Sequence, residues 1–278
     1  MSSLNTCLTD ELDPIKMITL DDERNILYTI SKNNNIELIS LGENGMEFTK
    51  IARISDLSDQ LSRFNSFDDA IISMHPLSMS ESSYLHCVAI GASGSRLYFT
   101  TARHPQQYST IASKYTPPSV LELRYVLSPA GQTLGTQGPK VHEAFYSFGI
   151  SIASQALEEV DRVMMFAPHT GLITQYQQKA MIEYASFFDI EGRTWAIAEA
   201  ASPFLTAFKD QGNSTLGISL NELVTQFEYP ARKFYLLTNG GLTTISKLRP
   251  IDILLKLISD SGTGDARPFQ EFFSRYAL

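Results

Sequence analysis

Ile26-Leu27-Tyr28-Thr29-Ile30-Ser31, then Lys32-Asn33-Asn34-Asn35, then Ile36-Glu37-Leu38-Ile39-Ser40-Leu41 is the stretch on which the fold turns. Two apolar runs, rich in β-branched and aromatic residues, flank an Asn-rich turn whose residues tolerate positive φ. The pattern is that of an antiparallel hairpin. Residues 15–20 precede it across Asp21-Asp22-Glu23-Arg24-Asn25, and residues 46–54 follow it across Glu43-Asn44-Gly45. Four strand-like runs joined by short turns make a meander. Alone, such a sheet would expose two edges and an apolar face, and packing like sheets radially around an axis is a common solution.

The same form returns along the chain. Residues 86–90 turn at Gly91-Ala92-Ser93-Gly94 into 95–100, residues 162–166 turn at Pro168-His169-Thr170-Gly171 into 172–174, and residues 233–237 turn at Asn239-Gly240-Gly241 into 242–245. Each pairs an apolar strand that can be buried on both faces with an alternating strand. The spacing, roughly 60–75 residues, exceeds the ~40–45 of a WD40 blade, and no Trp-Asp signature is present. Insertions at 57–68, 103–119, 128–139 and 201–213, rich in Ser, Pro, Gly, Gln and Asp, account for the excess. Such loops are expected on one rim, where they carry contacts.

The character changes at Arg249-Pro250. Pro250 suits the first helical position, Asp252 favours the first turn, and Ile251, Leu254, Leu255 and Ile258 fall at i, i+3, i+4 and i+7. After Gly262 and Gly264, Pro268 opens a second helical pattern carried by Phe269, Phe272, Phe273 and Tyr276. The fold class expected is therefore mainly β: a partial β-propeller of four-stranded antiparallel blades over residues 1–249, followed by a short α-helical, solenoid-like start over 250–278.

Composition narrows the function. At 43 % hydrophobic and 19 % charged, 278 residues suffice for a sizeable core, and a net charge of −8 with no Lys/Arg run disfavours nucleic acid as a direct partner. Cys7 and Cys87 are too few and too distant for a disulfide framework. The N-terminus lacks the basic and apolar regions of a signal peptide, and no ~18-residue apolar run occurs, so neither export nor a membrane span is expected.

The hairpins taken in order, with Pro14-Ile15-Lys16-Met17-Ile18-Thr19-Leu20-Asp21-Asp22-Glu23-Arg24-Asn25-Ile26-Leu27-Tyr28, Ser95-Arg96-Leu97-Tyr98-Phe99, Lys140-Val141-His142 and Lys247-Leu248-Arg249-Pro250-Ile251-Asp252, resemble the non-FG nucleoporins of the nuclear pore inner ring. In that family an N-terminal propeller leads into a long α-solenoid, and this chain resembles the later blades plus the first solenoid helices. The resemblance implies a structural scaffold supporting pore assembly and nucleocytoplasmic transport at the nuclear envelope. Its implied partners are other inner-ring and linker nucleoporins. A propeller-solenoid subunit of a vesicle coat or tethering complex shares the same plan and differs by partner.

No catalytic pattern converges in the sequence. His75, His86, His104, His142 and His169 show no paired ligand spacing, and His142-Glu143 lacks the second histidine of a zincin motif. Gly91-Ala92-Ser93-Gly94-Ser95 has neither the Lys-Ser/Thr ending of a phosphate loop nor the second glycine of a nucleophile elbow. Asp21-Asp22-Glu23 and Asp68-Asp69 lack calcium-loop spacing and read as solvated turns. Trp195, alone within a strand-like run, reads as core. No catalytic residue, cofactor or metal is expected, and a propeller hydrolase is the weakest reading.

One segment has two readings. Ile54, Leu57, Leu61 and Phe64 fall on one helical stripe opposite Ser55, Asp59, Ser62, Arg63 and Ser66. A Ser-rich, weakly charged polar face is the form of a lipid-packing sensor, and the nucleoporin resemblance implies a membrane-contacting loop near this place. The alternative is a helix docked on the propeller rim.

Overall fold

The computed structural model describes residues 13–63, 69–82, 84–103, 117–128, 140–168, 183–201, 226–227, 229–260 and 266–276. Among these residues four antiparallel sheets follow one another in chain order. The first holds β1 (Ile15–Asp21), β2 (Ile26–Ser31), β3 (Ile36–Ser40) and β4 (Thr49–Ile54); the second holds β5 (Ile71–Pro76), β6 (Cys87–Gly91), β7 (Arg96–Thr100) and β8 (Glu122–Leu127). The third holds β9 (Val141–Ser147), β10 (Ile150–Ala156), β11 (Val160–Pro168) and β12 (Glu183–Glu191). Among the described residues the fourth has three strands, β13 (Thr194–Glu199), β14 (Lys233–Thr238) and β15 (Gly241–Ser246). Helix α1 (Leu57–Ser62) joins the first sheet to the second, while α2 (Pro250–Asp260) and α3 (Arg267–Tyr276) follow the last strand.

The first strands of the sheets touch in series, β1 on β5, β5 on β9 and β9 on β13. This is an arc of four propeller blades. Local chemistry sets its turns: Asn25 and Asn34 adopt φ of 51° and 60°, and Gly94 adopts 86°, the left-handed region those residues tolerate. Packing sets the arc itself. Three apolar clusters fill the seams, with Ile26, Tyr28, Leu38, Cys87, Leu97 and Phe99 between blades 1 and 2. Val88, Tyr98, Ala144, Met164 and Phe166 lie between blades 2 and 3, and Ile152, Val163, Phe234 and Leu236 between blades 3 and 4.

Several sequence expectations need correcting. The fourth strand starts at Thr49 rather than 46, and Met46 stands in solvent. The strand expected at 162–166 forms within β11, but the turn at 168–171 and the strand at 172–174 lie outside the described residues apart from Pro168, which ends β11; β11 pairs with β10 on one side and with β12, the next described strand, on the other. The doubly buried second strand of blade 3 is β10, not β11. Its buried Ser151, Ser154 and Gln155 interrupt the apolar pattern that β2 and β6 share. Asp21, read as a solvated turn residue, is buried against Arg24. Trp195, read as core, is 60 % exposed and sits where the β13–β14 register slips between Thr194 and Ala196. A bulge re-aims a side chain without changing the residue pattern.

His75 on β5 packs edge-on against Phe145 of β9, with ring centroids 5.6 Å apart, and its Nε2 is buried. Burial depresses the imidazole pKa to about 4. The folded state therefore binds fewer protons than the unfolded chain as pH falls below 6.5, and stability drains away between there and about pH 4. Urea titrations of the parent and His75→Phe should show the parent losing about 3 kcal/mol more between pH 7 and pH 4.

Candidate interaction site

The candidate site begins with the stripe at the end of blade 1. Asp56 caps α1, its carboxylate accepting from the Ser58 N–H at 2.9 Å. Ile54, Leu57 and Leu61 all point into the core between blades 1 and 2, and Leu61 is only 1 % exposed. Gln60 Oε1 accepts from the Leu123 N–H of β8 at 3.0 Å, tying the helix to the outer strand of blade 2. Phe64 lies outside the described residues. The three described apolar members of the stripe thus serve blade packing in this conformation.

Polar ties accompany the apolar seams. Between blades 1 and 2, Arg24 Nη1 donates to Asp21 Oδ2 at 2.9 Å and to the Leu77 carbonyl at 2.6 Å. Burial pushes the Asp21 carboxyl up, and Arg24 opposes that shift. Between blades 2 and 3, the Tyr146 hydroxyl donates to Glu81 Oε1 at 2.7 Å and accepts from the Gly149 N–H at 3.0 Å. Burial likewise raises Glu81, against the pull of that hydroxyl. Between blades 3 and 4, Arg232 forks onto Glu199 at 2.7 and 3.0 Å and reaches the Phe148 and Ser147 carbonyls at 3.0 and 2.9 Å. Asp161 adds a second tie there, accepting from the Thr194 N–H at 2.6 Å and from Arg193 Nη1 at 3.0 Å.

The strand-to-helix junction is a separate construction. Arg249 precedes α2, and Asp252 three residues on accepts from its backbone N–H at 2.9 Å, as the returning half of a capping box does. The Arg249 guanidinium grips the same carboxylate at 2.8 and 2.7 Å and donates through Nη1 to the Gln226 and Tyr229 carbonyls. The Ile251 N–H, a helix-end donor that Arg249 cannot satisfy, is taken by Gln226 Oε1 at 2.7 Å. Of the expected junction residues, Pro250 is buried, Ile251 and Leu254 are half-buried, and Leu255 and Ile258 are exposed. Helix α2 packs on α3, where Phe272 is buried and Phe273 is exposed. Sequence reading found the helix but missed the fork, because nothing in the pattern pairs Arg249 with residues 226–229.

An arc of blades with apolar seams, a charged tie at each seam and a helical pair at its end defines a propeller-type scaffold. The chain belongs to the nucleoporin family described as Nup133 N-terminal-like, which it matches over residues 1–244. It is 27 % identical to a probable nucleoporin of Schizosaccharomyces pombe, over 88 % of this chain and 21 % of that protein. It is 25 % identical to nucleoporin NUP170 of Chaetomium thermophilum, over 94 % of this chain and 21 % of that one. Nup154 of Drosophila melanogaster is 26 % identical, over 89 % of this chain and 19 % of that one. The chain therefore spans about a fifth of the length of these relatives. Its fold is that of the Nup170 N-terminal domain solved with Nup53 from Chaetomium thermophilum, with a TM-score of 0.72 at 23 % identity, covering 95 % of this chain and 40 % of that one.

Two outcomes follow from the geometry. Leu61→Ala should destabilise the fold by about 2–5 kcal/mol, read as a lower urea midpoint, while flotation of the parent with small liposomes matches that with large ones. Arg249 holds the Asp252 carboxyl below the usual carboxylate range, so its contribution is complete above about pH 4 and is lost as pH falls through the lowered value. Asp252→Ala should speed hydrogen exchange of the 249 and 251–253 amides about tenfold or more and leave the β14 amides unchanged.

Proposed function

We propose that this chain is a non-catalytic scaffold segment of the nuclear pore inner ring, supporting pore assembly and nucleocytoplasmic transport at the nuclear envelope. The observation that carries the reading is family membership over residues 1–244 in a chain whose last blade and helical pair keep large apolar side chains open to neighbours. Tyr235, Leu237 and Leu242 form such a face on blade 4, and Leu255, Ile258 and Phe273 are exposed on the helices. Residues 1–249 act as blades of a propeller and residues 250–278 as the opening of a helical stack, a division supported by the Arg249 fork.

Other inner-ring and linker nucleoporins are the proposed partners. The solved relative was captured with Nup53, which makes a nucleoporin of that kind the first to test. The inward placement of Ile54, Leu57 and Leu61 supports the docked reading of their stripe over contact with the curved pore membrane. Affinity purification of the endogenous protein, together with its localisation, tests the assignment. Inner-ring nucleoporins and a nuclear-rim signal are expected; coat or tethering subunits with a cytoplasmic vesicle signal would overturn it.

A further inference from the structure

The loop between β5 and β6, Leu77-Ser78-Met79-Ser80-Glu81-Ser82-Ser83-Tyr84-Leu85-His86, reaches two blades besides its own. Toward blade 1, the Ser78 hydroxyl donates to the Glu23 carboxylate, 2.9 and 3.1 Å from its two oxygens, and the Met79 N–H donates to Glu23 Oε2 at 2.6 Å. The Leu77 carbonyl receives Arg24, which is itself held by Asp21. Toward blade 3, Glu81 receives the Tyr146 hydroxyl, and its other oxygen accepts from the Ser78 N–H at 3.1 Å. The loop is thus a latch across three blades, and among its described residues Ser78 is the one bonded to both acids.

Ser78 is partly exposed, on a loop, with Glu81 three positions C-terminal to it. A serine followed at that spacing by an acid is the pattern that acidophilic serine/threonine kinases read. We propose that Ser78 is a phosphorylation site for such a kinase and that the modification releases the latch from blade 1. In the transfer, Ser78 Oγ forms a bond to the γ-phosphorus of Mg-ATP, the bond from that phosphorus to the β–γ bridging oxygen breaks, ADP leaves, and the hydroxyl proton passes to the kinase base and then to water.

The consequence follows from what the hydroxyl does in the unmodified loop. Toward Glu23 it acts as a donor, and a phosphate ester near neutral pH has no proton left to donate there. The added charge of about −1.5 to −2 would stand against the Glu23 carboxylate and beside Glu81. Of the cations nearby, Arg24 is engaged with Asp21 and the Leu77 carbonyl, and Arg232, whose charge reaches Glu81, is forked onto Glu199. Repulsion then expels Ser78 and Met79 from the Glu23 carboxylate, while the apolar seam between blades 1 and 2 stays closed.

The test treats the purified full chain, Ser78→Ala and Ser80→Ala with casein kinase 2 and Mg-ATP, maps the phosphate by peptide mass spectrometry, and follows with hydrogen exchange. Phosphate is expected on Ser78 in the parent and in Ser80→Ala, and absent at that position in Ser78→Ala. Exchange of the Met79 amide should rise about ten- to a hundredfold on modification, the factor lost with a charge-assisted hydrogen bond, and the β2 and β3 amides should not change. No phosphate on Ser78, or phosphate there with Met79 exchange unaltered, overturns the proposal.

Discussion

The structure depends on one constraint: a sheet that is apolar on both faces can be dry only between two others. β2, β6 and β10 are each the second strand of a blade, and each is buried along almost its whole length. Every cluster in the core joins neighbouring sheets rather than lying within one. At roughly 1.5–3 kcal/mol for each large side chain taken fully from water, the seams supply the main favourable term. The hydrogen-bonded ladders then fix which strand lies where.

Apolar faces alone would let blades slide or rotate against one another. The charged ties limit that freedom, because each carboxylate and guanidinium withdrawn from water must find its particular partners to offset the desolvation. Arg24 reaches a carbonyl on blade 2, Tyr146 reaches a carboxylate from blade 2, and Arg232 joins a blade 4 carboxylate to blade 3 carbonyls. In each case the distal partner is a backbone group or a loop side chain near a turn. Such partners are invisible to any reading of strand periodicity.

That division explains what was legible beforehand. The hairpins of blades 1, 2 and 4 and the switch to helix at Pro250 could be read because propensity, turn chemistry and periodicity agree there. β10 could not, since its serines and glutamine are polar by composition and buried by position. Trp195 was misjudged for the opposite reason: a bulge, set by the register of β13 on β14, turns an apolar side chain outward. Ile54, expected on one helical stripe with Leu57, Leu61 and Phe64, ends β4 instead, and only tertiary structure shows that Leu57 and Leu61 on α1 face the core. Periodicity identifies an apolar face without saying what will cover it.

The Arg249 fork has a mechanical meaning beyond local bonding. It fixes the carboxylate at the start of α2 and two carbonyls of the preceding segment to one rigid planar group, so the helix leaves the blade at a set angle. α2 has 11 residues, so it is about 16 Å long, and a 10° wobble at its base would carry its far end about 3 Å. Any helices stacked beyond it would magnify the error in proportion to their reach. The planar guanidinium therefore works as an aiming device, setting at the root of the helical pair the direction in which everything after it points.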